Sequence, residues 1–66
     1  MDAIIIKKDQ VILSLSKEEI TIARNSVDVI CIEIEDCEFQ TRLGVYLEDA
    51  RIILKALNSI IKKMEQ

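Results

Sequence analysis

The sequence predicts an α+β chain of 66 residues, a β-hairpin followed by two or three α-helices (ββααα) with a helix-turn-helix-like C-terminal half. Three observations carry that expectation. Two short aliphatic runs open the chain on either side of a polar break, a helix-capping motif follows at Ser16, and an apolar stripe at helical spacing runs from Ala50 to Met64.

Residues 3–15 read as the hairpin. Ala3-Ile4-Ile5-Ile6 and Val11-Ile12-Leu13-Ser14-Leu15 are rich in β-branched residues, and Lys7-Lys8-Asp9-Gln10 separates them. In the second run Val11, Leu13 and Leu15 alternate onto one face and leave Ile12 and Ser14 on the other. The first run is apolar on both faces, which predicts cover on both.

Ser16-Lys17-Glu18-Glu19 is a capping box, in which the serine hydroxyl accepts from the Glu19 N–H and the Glu19 carboxylate accepts from the Ser16 N–H. Acids in a first turn also suit the positive end of a helix dipole. The helix that follows places Ile20, Ala23, Val27, Ile30 and Cys31 on one face. Its end has two readings, because Ile32-Glu33-Ile34-Glu35 alternates like a strand; residues 31–35 are expected to run extended if that alternation decides. Asp36 is the expected cap of a short helix over Cys37–Leu43, anchored by Phe39 and stopped by Gly44 in a left-handed conformation. A last helix is expected over Leu47–Met64, with Ala50, Ile53, Leu54, Leu57, Ile60, Ile61 and Met64 as its apolar stripe. No linker, repeat or low-complexity tract interrupts residues 1–66, which read as one small domain.

Composition narrows the chemistry. Half of the residues are hydrophobic, which argues firmly against disorder, but Phe39 and Tyr46 are the only aromatics, so stacking surfaces for bases or sugars are few. There is no histidine, and Cys31 and Cys37 are too few for a disulfide framework and too far apart for a CxxC motif. They read as reduced thiols. Nothing in the pattern points to a catalytic group, a cofactor or a metal. The first residues lack the basic start and long apolar run of a signal peptide, and no stretch approaches a membrane span, so a cytoplasmic protein is expected.

Charge is unevenly placed. The chain carries −3, residues 33–44 alone carry −3, and the rest sums to zero. Glu33, Glu35, Asp36 and Glu38 account for that excess, offset by Arg42. They lack the spacing and the bend of a calcium loop, and they read either as a solvated acidic loop or as a docking surface for a basic protein partner. Arg42 is expected to bond Glu38 or nearby helix-end carbonyls rather than a ligand. Tyr46, just after the turn, is expected to be half-exposed beside the acids, a pattern that suits an interface.

The turn from Phe39 to Ile53 also has the outline of a helix-turn-helix, with apolar residues around Gly44 and Ala50 and Ile53 turned inward. Gln40 stands where that motif favours alanine. The helix that would read DNA opens with Glu48 and Asp49, against the phosphate attraction on which such binding rests.

From Leu15 to about Leu57, the segments Leu-Ser-Lys-Glu-Glu-Ile, Glu38-Phe39-Gln40-Thr41-Arg42-Leu43-Gly44 and Leu47-Glu48-Asp49-Ala50-Arg51 resemble a group of small uncharacterised bacterial proteins. Those carry a Glu-Phe-x-Thr-Arg-x-Gly turn between a capped helix and an amphipathic one. The resemblance implies an immunity- or antitoxin-like inhibitor. The chain departs from that pattern at Ile32-Glu33, where a glycine or asparagine is expected, and at Tyr46, where a small capping residue is usual.

The expected function is therefore that of a protein-interaction module that acts by binding rather than catalysis. The alternative is a helix-turn-helix nucleic-acid binder or accessory transcription factor. A homodimer is expected through Ile4, Ile5, Ile6 and Ile12, because a lone hairpin is marginal in water and exposes two edges.

Overall fold

The polar break at Lys7-Lys8-Asp9-Gln10 turns the chain back on itself, closed by the Lys7 N–H donating to the Gln10 carbonyl at 2.8 Å. In this computed structural model, which describes residues 1–65, the strands β1 (Asp2–Ile6) and β2 (Val11–Ser14) pair antiparallel. Ile6 lies opposite Val11, Ile5 opposite Ile12, and Ala3 opposite Leu13, with Ile4 as the extra residue of a bulge. Opposed residues share a face and neighbours alternate, so Ile6, Val11 and Leu13 line one side while Ile5 and Ile12 line the other.

Neither side is covered. Ile4 is 64% exposed and Ile6 77%, and no strand Cα comes within 8 Å of a helix Cα. This corrects the expectation that the first strand is covered on both faces. The helices bury their stripes against one another and leave the hairpin unclad.

Three helices follow: α1 (Lys17–Glu33), α2 (Asp36–Leu43) and α3 (Leu47–Met64). The capping box forms as expected. Ser16 Oγ accepts from the Glu19 N–H at 3.1 Å and Glu19 Oε1 accepts from the Ser16 N–H at 2.9 Å. The Met1 amine also lies against the Glu19 carboxylate and ties the start of the hairpin to α1. The amine first and the Ser16 N–H second hold the Glu19 carboxyl down at about 2, from an ordinary 4.5. A carboxyl depressed by folding adds stability that is fully present above its unfolded value and is lost as pH falls through its folded one. Glu19→Gln should therefore lower the melting temperature at neutral pH, and the gap to wild type should close as pH falls from about 4.5 to about 2. Melting curves of both proteins across that range check it; a constant gap would mean that these bonds do not stabilise the fold.

The strand-like alternation after Val27 does not become a strand. α1 continues to Glu33, and only Ile34 and Glu35 are extended, so the extended reading of residues 31–35 is corrected. The 3.6-residue period wins because Val27, Ile30, Cys31 and Ile34 together pack on the cluster of Phe39, Leu47 and Ala50. Helix continuation leaves Val29 and Ile32 in water, Ile32 at 75% exposure. The cap of α2 is likewise shifted by one: Glu35 holds the N-cap position, without a side-chain hydrogen bond, and Asp36 is the first helical residue.

α1 and α3 run antiparallel. Cys31 and Ile34 meet the start of α3 at one end, while nearer the other Arg24 Nη1 donates to Asn58 Oδ1 at 3.2 Å. Phe39 of α2 plugs the closed end and is fully buried. The apolar stripe of α3 is only partly used: Ala50 and Ile61 are buried and Leu54 and Leu57 half-buried, whereas Ile53, Ile60 and Met64 stay exposed. The expectation that Ile53 faces inward is thus corrected. One neighbouring helix is too narrow to cover so wide a stripe.

Gly44 ends α2 at φ +75°, its N–H bonding to the Gln40 carbonyl at 2.8 Å. A Cβ added there meets nothing within 4 Å, so backbone strain is the only penalty. Gly44→Ala should cost about 1 kcal/mol and Gly44→Asn less, read from urea unfolding. A neutral alanine variant would show that the turn relaxes to negative φ.

The result is one flat layer, 35 × 32 × 15 Å, with a radius of gyration of 13.3 Å. A compact chain of this length has a radius of about 11 Å. Its accessible surface is 5540 Å², where a compact monomer of this mass shows about 4,300 Å². Small domains normally close a core between two layers, and this one supplies a single layer.

Candidate functional site

The acidic segment is built by the α1–α2 junction. Glu33 is the last residue of α1, Glu35 the N-cap of α2, and Asp36 and Glu38 lie in the first turn of α2. All four are exposed. Three of them stand at the positive end of the α2 dipole, which explains why acids are tolerated so densely there. Glu33 has no such support, because it sits at the negative end of α1 with no basic residue in that last turn.

Arg42 approaches Glu38 Oε2 at 3.9 Å across one turn of α2, as expected, with both side chains in water. Such a pair adds little to stability. Around it, Cys37, Glu38, Thr41 and Arg42 line a shallow open depression. The Cys37 thiol lies 3.8 Å from Glu35 Oε2, a weak contact.

Tyr46 takes the N-cap position of α3, with φ −79° and ψ 149° and no side-chain capping bond. It is 60% exposed. An open depression joins Asp36, Tyr46, Leu47, Glu48 and Arg51. Of the four acids, therefore, only Asp36 shares a hollow with Tyr46, while Glu33, Glu35 and Glu38 stand outside it. Glu48 extends the acidic surface and Arg51 interrupts it, and neither was among the candidate residues. Glu48 and Arg51 are three apart and so share a face of α3 in the sequence, but their nearness to Asp36 comes from the α2–α3 turn.

The second candidate surface, Ile4, Ile5, Ile6 and Ile12, is held together by the hairpin register. Ile5 and Ile12 form one cross-strand pair, at 44% and 45% exposure, while Ile6 lies on the opposite face. Outer edges of both strands are unpaired, since the sheet has two strands.

Neither cysteine is in a disulfide; Cys31 is half-buried against the helical core and Cys37 is exposed. Among the described residues, no group of three or more acidic, cysteine or histidine side chains is placed to hold a metal ion. No helix of the described residues is long and apolar enough to cross a membrane. The hollows among the described residues are open, and much of the surface around them is aliphatic. Comparisons with protein-family models, curated proteins and solved structures find no match to this chain.

Proposed function

We propose that this chain is a protein-interaction module that acts by binding, in the manner of a small bacterial inhibitor or immunity protein. One observation carries the reading: roughly 1,200 Å² more surface is open than a compact monomer of this mass leaves, and much of it is aliphatic. A standard interface removes about 800 Å² from each partner. Folding alone leaves this chain short of cover, and association supplies it.

The reading has two parts. The hairpin residues Ile4, Ile5, Ile6 and Ile12 meet those of a second copy, either edge to edge in a larger sheet, which pairs an open strand edge, or face to face, which covers the Ile5–Ile12 side. The acidic residues Glu33, Glu35, Asp36 and Glu38, with Tyr46, meet a basic protein partner. Charge at such a surface chiefly accelerates association and selects partners, and the aromatic ring supplies apolar contact.

The experiment measures association of the tagged chain with its captured partner over a salt series. Glu35→Lys with Asp36→Lys should slow association about ten-fold and flatten its salt dependence. Tyr46→Ala should mainly speed dissociation, weakening binding by about 2 kcal/mol. Wild-type association rates in the charge-reversed protein at every salt concentration would reduce the acidic segment to a solvated surface.

A further inference from the structure

The layer formed by α1 and α3 has two unlike sides. One is marked by the hydrogen bond from Arg24 to Asn58. On α3, Asn58 shares that side with Arg51, Lys55 and Lys62, all exposed and spaced by three, four and seven. The other side of α3, about 160° around the helix from Asn58 to Ile60, is apolar. Ile53, Leu57, Ile60 and Met64 run along it, with Ile53 at 51%, Ile60 at 46% and Met64 at 43% exposure. Lys63 and the small Ala56 flank the row.

We infer that this row is a helical seam on which α3 of a second copy of the chain packs antiparallel. Three features select that occupant. The spacing of the row is four, three, four, which reads the same in both directions. Set antiparallel about a two-fold axis level with the Asn58–Ser59 bond, Ile53 lies opposite Met64 of the second copy and Leu57 opposite its Ile60, the layered arrangement of a two-helix seam.

Charge agrees with the direction. Glu48 and Asp49 lie in the first turn of α3, and Lys62 and Lys63 in its last. Antiparallel pairing points each acidic end in the direction of the neighbour's basic end, with Asp49 about 8 Å along the axis from Lys63 of the second copy, and opposes the two helix dipoles, whereas parallel pairing sets like against like. Area agrees as well. The surplus surface of roughly 1,200 Å² counts the whole chain, hairpin included, and leaves room for a standard interface of about 800 Å² on each side. Stacking two layers across the seam also gives the α1–α3 pair the second layer that a closed core requires. This seam is separate from the hairpin surface and does not rest on the hairpin reading.

The test uses paired cysteines in a full-length chain carrying Cys31→Ser and Cys37→Ser. Ala56→Cys with Lys63→Cys places thiols beside the seam; in the antiparallel arrangement, residue 56 of one copy lies about 3 Å along the axis from residue 63 of the other. Lys55→Cys with Lys62→Cys has the same spacing on the polar side and serves as control. Seven residues apart on one helix, neither pair can close within a chain. On mild oxidation the seam pair should form covalent dimer at least ten-fold faster than the control, and should still do so when Ile5→Lys is added. Ile53→Lys with Ile60→Lys, added to the seam pair, should reduce crosslinking to the control rate while the helical circular dichroism is retained. Equal rates for seam and control pairs would overturn the proposal, whatever the fate of the hairpin reading. Sedimentation of the wild-type chain as a monomer at about 100 μM, well above typical micromolar affinities, would overturn it too and would leave the seam to a different protein.

Discussion

Phe39→Ala should abolish the cooperative thermal transition of the helical half. Among the described residues Phe39 is the one side chain completely withdrawn from water, and it closes the end of the layer where α1, α2 and α3 converge. Truncating a buried phenylalanine costs about 3–5 kcal/mol, through lost transfer energy and the cavity left behind. A chain of this length has a total stability of only about 3–10 kcal/mol. Beyond Leu47 and Ala50, which already touch Phe39, the buried apolar residues among those described are Ile20 and Ile61, so little core remains to compensate. Phe39→Leu keeps most of the volume and should stay folded, at a cost of about 1.5 kcal/mol. Far-UV circular dichroism against temperature checks both. An alanine variant that melts within a few degrees of wild type would mean that the stability resides elsewhere, in the contacts between copies.

Ile5→Lys should dissociate the hairpin-mediated dimer, raising its dissociation constant at least a hundred-fold, or about 2.7 kcal/mol. Its logic rests on the contrast between two environments. In a single chain Ile5 is 44% exposed beside Ile12, and lysine there stays hydrated, so the change is worth about 0.5 kcal/mol or less. Once a second hairpin covers that face, the same ammonium is desolvated without a partner, which costs several kcal/mol. The size of the effect therefore reports the cover. Sedimentation equilibrium over a concentration series measures it, with Lys8→Ala in the exposed turn as a control that should change nothing. A melting temperature that rises less steeply with concentration in Ile5→Lys than in wild type is the companion result. If Ile5→Lys and wild type associate alike, the hairpin faces no second copy.

Much of this was legible in the residues because local chemistry decides it. The capping box at Ser16 places the start of α1, since its two reciprocal bonds involve only residues three apart. Gly44 marks the end of α2 because only that residue type holds a positive φ without strain. The break at Lys7–Gln10 and the β-branched runs around it give the hairpin, and Phe39 is the natural anchor of a short helix that has no other aromatic. The exit of α1 was not legible. The alternation Ile32-Glu33-Ile34-Glu35 and the helical spacing Val27, Ile30, Cys31, Ile34 are both present, and packing on Phe39, Leu47 and Ala50 chooses between them.

For the candidate surfaces, the order of residues is enough to say which of them carry charge and which helix face is apolar, because composition and period are properties of neighbours along the chain. Glu33, Glu35, Asp36 and Glu38 stand out as one acidic run, and Ile4, Ile5, Ile6 and Ile12 as apolar surface in excess. Packing places Asp36 in a hollow with Tyr46, Glu48 and Arg51 and leaves the other three acids outside it. It alone decided that Ile53, Ile60 and Met64 are left uncovered. Burial is a long-range quantity: an apolar stripe states that a face seeks cover, and the number and width of the elements packed against it determine how much it receives. Here α1 is one helix wide and no strand packs on a helix, so the stripe of α3 is half-satisfied and the faces of the hairpin receive no cover from the helices.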